Sequence, residues 1–217
     1  MAPDHGLHLN REQQAARRVY HRELVKALRR VAKGSEWRVV QDSLFKEQDG
    51  WLVCCRPEVG IVEAVTRLVV TLKPMALDPL FWDVMGLADN HQQPLSFRVT
   101  GAWVCPALEQ SSPVLPELAD PQQMAAACLQ QAQQCGAAIV SGANLEDFAA
   151  GCLQQSADQS GLIASAVMAL VLLDQRDAAL AVCREAAERF ESGGFVLQQR
   201  PFVDVAGEWL AAGRTQA

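Results

Sequence analysis

The chain has 217 residues, half of them hydrophobic and a fifth charged, with a formal net charge of −6. This composition is in the ordinary range of folded proteins that bury a substantial core, so disorder is not the default. Length alone allows one domain or two small ones, so the order of elements has to decide.

Met1 to Asn10 carries Pro3, Asp4, His5 and His8 without an apolar run, unlike a secretory signal peptide. Asn10 followed by Gln13 predicts a capping box, and the helix it opens runs to about Lys33, where Gly34 stops it. Tyr20, Leu24, Ala27, Leu28 and Val31 form its apolar stripe; Arg18, Arg22, Lys26, Arg29 and Lys33 form a basic stripe opposite. The basic stripe reads as the solvated face of an amphipathic helix, and no nucleic-acid binding is inferred from it.

Trp37 to Lys46 and Trp51 to Arg56 read as strands joined through Asp49-Gly50, a hairpin signal. Ala64 to Lys73 is a third strand that Pro74 ends, with Leu68, Val70 and Leu72 on one face and Arg67, Val69 and Thr71 on the other. Ser96 to Val104 is a fourth, placing Phe97, Val99 and Trp103 on one side. The expectation is an antiparallel sheet of these strands. Between the third and fourth, Asp78-Pro79 reads as an N-cap and first-turn proline for a short helix through Met85, ended by Gly86 or by the polar stretch Asp89 to Pro94.

Pro106, Pro113, Pro116 and Pro121 with Ser111-Ser112 mark a linker at 109–120. This divides the chain into a sheet domain (1–108) and a helical domain (121–217). Helices are predicted from Pro121 to about Cys135, near Leu145 to Gln155, and twice between Gly161 and Glu191. Gln159 to Leu173 is uncharged but shorter than the roughly 20 apolar residues a bilayer crossing needs, so it reads as a buried helix. Ala164 to Phe190 resembles the helical hairpin of tetratricopeptide-type repeats, with Asp174-Gln-Arg-Asp177 as the turn. A stacked solenoid needs about three units, so one helical pair packed on its neighbours is expected. The fold class is therefore α+β.

No Gly-Lys step, GxGxxG, HExxH, CxxC or GxSxG pattern occurs, and the four histidines lack zinc-ligand spacing. No cofactor, metal or catalytic residue is assigned. The seven cysteines (54, 55, 105, 128, 135, 152 and 183) read as reduced thiols packed as small hydrophobes, consistent with a cytoplasmic protein. Adjacent Cys54 and Cys55 on one strand should face opposite ways and cannot chelate jointly. His91, with Asp83 and Asp89 nearby, is the place where an imidazole and carboxylates cluster; an unrecognised enzyme would be centred there.

Residues 1–33 carry a balance of +5 and the remainder −11. No Lys or Arg occurs between Arg98 and Arg176, whereas Glu109, Glu117, Asp120, Glu146, Asp147, Asp158 and Asp174 do. The first six are the candidate partner-binding residues, since a shared acidic face would attract a basic protein and speed encounter.

Lys73 to Leu87, Gln93 to Arg98 and Gly101 to Trp103 together resemble an uncharacterised bacterial domain family built from an N-terminal helix and an antiparallel sheet. Families of this kind often supply immunity proteins. The resemblance covers about the first half of the chain and implies a non-catalytic inhibitor of a cognate toxin, which the acidic residues would match to a basic toxin domain. An adaptor or structural subunit docking a partner through the helical half is the alternative.

Overall fold

The computed structural model describes residues 9–60 and 65–213, so Pro3, Asp4, His5, His8 and Ala64 lie outside the described residues. The chain is α+β: an N-terminal helix, an antiparallel sheet and a helical region. Helix α1 (Arg11–Val31) opens on the expected reciprocal cap, with Asn10 Oδ1 accepting from the Gln13 N–H and Gln13 Oε1 from the Asn10 N–H, both at 2.9 Å. Leu24, Ala27 and Leu28 on its apolar stripe are buried, and all five residues of the basic stripe are exposed.

Strands β1 (Arg38–Val40), β2 (Ser43–Gln48), β3 (Trp51–Val59), β4 (Thr66–Pro74) and β5 (Leu108–Ser111) follow in spatial order, and β6 (Val114–Leu115) also pairs with β4, antiparallel. Asp49 and Gly50 take the left-handed conformation (φ 51° and 79°) that a two-residue hairpin turn requires. The single strand expected over Trp37 to Lys46 is instead a hairpin: Val40 pairs with Ser43 across a turn where Gln41 has φ 51°. No glycine announces that turn. In β4 the expected alternation fails at Val69, which is buried along with Leu68 and Val70.

The expected strand from Ser96 to Val104 is not a strand. Pro94 accepts the Phe97 N–H, Leu95 the Arg98 N–H and Ser96 the Val99 N–H, closing turns that lead into the short helix α3 (Phe97–Thr100). The 109–120 stretch is more than a linker, since β5 runs into it and β6 lies within it. Its prolines flank these strands, where a missing N–H breaks no ladder.

Helix α2 (Leu77–Met85) ends, as expected, on Gly86 in the left-handed conformation (φ 69°). Asp78 is not its N-cap; Ala76 holds that position and Asp78 lies buried in the first turn. Helices α4 (Pro121–Ser141), α5 (Leu145–Gln155), α6 (Leu162–Leu172) and α7 (Arg176–Glu188) fill the C-terminal half. Every residue from Leu162 to Leu170 is buried, as a helix hydrophobic all round should be. Beyond the last expected element come a β7/β8 hairpin (Val196–Leu197, Arg200–Pro201) and α8 (Phe202–Ala211).

Two compact units divide the chain discontinuously. The first takes Met1–Gln48, Val53–Thr71 and Glu109–Ser141; the second takes Asp49–Leu52, Leu72–Leu108 and Gly142–Ala217. In the first, α1 packs on α4. Gly136 of α4 lets the helix approach Trp37 closely: a Cβ there would sit 3.2 Å from the ring. In the second, α6 packs against α2, α5 and α7, and α8 against α2 and α7, around a core that includes Phe81, Trp82, Val167 and Phe202.

Candidate functional site

The most distinctive surface feature lies where α7 ends in the second unit. Ala179, Cys183 and Ala186 bury the inner face of α7, and their small size lets α6 and α8 approach. After the last turn, Phe190 takes φ 60°, and the Glu191 N–H closes back to the Ala186 carbonyl at 2.9 Å. This is a left-handed helix cap, a position where glycine is usual and a bulky side chain is disfavoured. The Arg189 guanidinium donates to the Glu191 carboxylate through two exposed hydrogen bonds of 3.2 and 3.1 Å, bridging the residues on either side. The Phe190 ring is left 97% exposed. Its backbone takes a conformation that is unfavourable for a non-glycine residue, and its apolar surface faces water. Val196 on β7 is also exposed. Sequence reasoning placed Phe190 at the end of the helical hairpin and gave no reason to expect it outside; its neighbours Arg189 and Glu191 carried the only signal.

The structure brings His91 and Asp83 together and does not place Asp89 with them. His91 Nε2 lies 2.8 Å from Asp83 Oδ1, with both side chains partly exposed. The imidazole stands edge-on to Trp82, with ring centroids 5.5 Å apart. Trp82 is itself fixed by its Nε1–H donating to the Trp103 carbonyl at 2.5 Å and by the Arg98 guanidinium 5.4 Å from its ring. Arg98 donates in turn to the Met75 carbonyl at 2.6 Å. This is a well-supported imidazole–carboxylate pair, with Asp89 exposed in the adjoining turn Ala88–Gln92.

All six candidate acidic residues are exposed, and they fall in different units. In the first unit, Glu109 lies on β5, Glu117 pairs with Arg17 at 3.3 Å, and Asp120 accepts the Gln122 N–H at 2.9 Å to open α4. In the second, Glu146 and Asp147 occupy the first turn of α5, where the helix dipole favours negative charge, and Asp158 lies beyond its end. Asp147 accepts from the Asn144 side-chain amide at 2.7 Å.

The first unit also holds a cavity of about 420 Å³ bordered by Arg17, Tyr20, Thr66, Glu117 and Met124. Desolvation raises the Tyr20 hydroxyl above its ordinary pKa, and that hydroxyl donates to the Leu118 carbonyl at 2.5 Å. All seven cysteines are reduced thiols; Cys55 is buried and Cys54 only partly so, as their opposite facing requires. Burial pushes the thiols of Cys128, Cys152 and Cys183 up to about 12, and burial likewise raises those of Cys55 and Cys105 well above the ordinary thiol range. Among the described residues, no group of three or more His, Cys, Asp or Glu side chains is arranged to hold a metal ion, and no helix is long and apolar enough to cross a membrane.

No family model matches the chain, and neither a curated protein nor a solved structure matches it.

Proposed function

We propose that this chain is a non-catalytic, cytoplasmic protein-binding protein that engages its partner through the turn carrying Phe190. The observation that supports this reading is the ring itself: 97% exposed, on a helix-cap residue in the left-handed conformation, flanked by the Arg189–Glu191 pair. An exposed aromatic has few rotatable bonds to freeze on binding and supplies a large apolar anchor, the combination typical of interface hot spots.

In the form that the family resemblance suggests, the chain is an immunity protein and its partner a basic toxin domain. The exposed carboxylates of Glu109, Glu117, Asp120, Glu146, Asp147 and Asp158 then serve to steer encounter. The position of Phe190 within the helical half favours the second reading, an adaptor that docks through that half. Deleting residues 117–217 would remove α4 from one unit and α5 to α8 from the other, so point variants are the appropriate probe.

The test is affinity purification of tagged wild type, Phe190→Ala and a Glu146→Lys/Asp147→Lys variant from the native host at low and moderate salt. The proposal expects one stoichiometric partner with wild type and its loss with Phe190→Ala. A salt-sensitive partner that is toxic alone and is weakened by charge reversal identifies the inhibitor; a non-toxic partner indifferent to it identifies the adaptor. Retention of the partner by Phe190→Ala at wild-type affinity would sink the anchor role.

A further inference from the structure

The second unit contains a cavity of about 510 Å³, within the range of small-ligand sites. Two helix ends meet at its wall: Asp83 and the cap Gly86 come from the end of α2, and Glu208, Trp209 and the cap Ala212 from the end of α8. A helix C-terminus carries partial negative charge and favours cations. At α8 that pole is already answered, because the Arg176 guanidinium donates to the carbonyls of Leu210 and Trp209. The last turn of α2 contains no basic residue and does contain Asp83. A Cβ built on Gly86 would meet nothing within 4 Å, so the approach to this end is open.

We propose that this cavity binds an organic cation, an ammonium or guanidinium group on a short apolar stem. Asp83 and Glu208 supply the carboxylates, the α2 terminus adds partial negative charge, and Trp209 with Val205 supplies an apolar wall for the stem. The same indole already accommodates one cation, the Arg176 guanidinium 5.8 Å from its ring. Arg200 is the basic residue in the lining and occupies Glu208 at 2.7 Å. Both members of that pair are exposed, so it is weak and easily exchanged. Arg200 therefore acts as a stand-in that an incoming cation displaces. The His91 imidazole lies on Asp83 Oδ1 at 2.8 Å, and this contact is likewise exposed and exchangeable. This site is separate from the Phe190 turn and stands or falls independently of it.

The required chemistry can come from a free amine or from an arginine side chain in a peptide. The test is calorimetric titration of the full chain at low salt with agmatine, with acetyl-Gly-Arg-Gly-amide, and with butylurea as the uncharged counterpart. Saturable binding of at least one cation is expected, with butylurea at least tenfold weaker. Glu208→Gln and Asp83→Asn should each weaken the cation about tenfold, while Arg200→Gln should tighten it by removing the competitor. All three positions are exposed, and unchanged circular dichroism confirms that the fold persists. Tighter agmatine assigns the site to a free amine; a tighter peptide assigns it to a protein side chain. Absence of saturable binding by both cations, equal binding of butylurea, or indifference to both carboxylate variants would overturn the proposal.

Discussion

Lys73 and Asp78 form an ion pair inside the second unit, with the Lys73 ammonium 3.0 and 2.9 Å from the two carboxylate oxygens and both side chains buried. The pair ties three segments together. Lys73, next to last in β4, donates to the Cys105 carbonyl at 2.9 Å, while Asp78 lies in the first turn of α2 and accepts the Cys105 N–H at 2.8 Å. Neither charge can be left alone in an apolar core. Asp78→Ala should cost about 3–5 kcal/mol, because it strands a buried ammonium. The double variant Lys73→Met/Asp78→Leu should recover much of that loss. Urea unfolding measures both; a double variant as unstable as Asp78→Ala would show that packing and the orphaned Cys105 backbone groups, not the stranded charge, set the cost.

Phe190 makes an opposite prediction for stability and binding. Glycine adopts the left-handed conformation freely, so Phe190→Gly should raise stability by about 1 kcal/mol. The same variant should lose the partner that wild type retains. Thermal unfolding and co-purification test the two halves separately, and a destabilised Phe190→Gly would mean that the ring stabilises the folded chain.

The elements that were legible in the sequence are those whose signals are local. Asn10 with Gln13, Asp49-Gly50, and the uncharged run ending in α6 each carry their chemistry within a few residues. Asp78-Pro79 shows the limit of that reasoning: an acidic residue before proline looks like a cap, but Lys73 and the Cys105 N–H draw the carboxylate inward. Ser96 to Val104 alternates like a strand, yet Phe97 and Trp103 pack against the core of the second unit from a short helix and the turn after it. The Gln41 and Gln198-Gln199 turns take positive φ without glycine, so no breaker announced them. Of the candidate site, Asp83 and His91 were visible as a pair. Phe190 was not, because an aromatic at the end of an amphipathic helix normally packs inward.

The thiols give a pH prediction. Burial raises Cys128, Cys152 and Cys183 from 9.0 to about 12, so the unfolded chain releases these protons first as pH rises. Their contribution is fully present below about pH 9 and declines toward pH 12, by about 1.4 kcal/mol per thiol per pH unit. Urea midpoints should therefore fall steeply over this window. Alkylation at pH 8 should modify Cys54 and Cys135, the partly buried thiols, well before the other five. Equal labelling of all seven without denaturant would contradict the buried assignment.

Arg17 separates a backbone clamp from a salt bridge. Its Nε donates to the Gly60 carbonyl at 2.8 Å and its Nη2 to the Val65 carbonyl at 2.9 Å, the two positions being joined by the Gly60 N–H donating to the Val65 carbonyl at 2.7 Å. The planar fork thus holds both ends of the segment linking β3 to β4, and its bond to Glu117 at 3.3 Å reaches a carboxylate that is 70% exposed. Lysine offers one point charge in place of that fork. Arg17→Lys should therefore cost about 1–2 kcal/mol through lost charge-assisted bonds to part-buried carbonyls, whereas Glu117→Gln should change stability by less than about 0.5 kcal/mol. Urea unfolding of both variants decides the matter. Comparable losses would place the energy in the ion pair, and a loss confined to Arg17→Lys would place it in the carbonyls that this side chain holds.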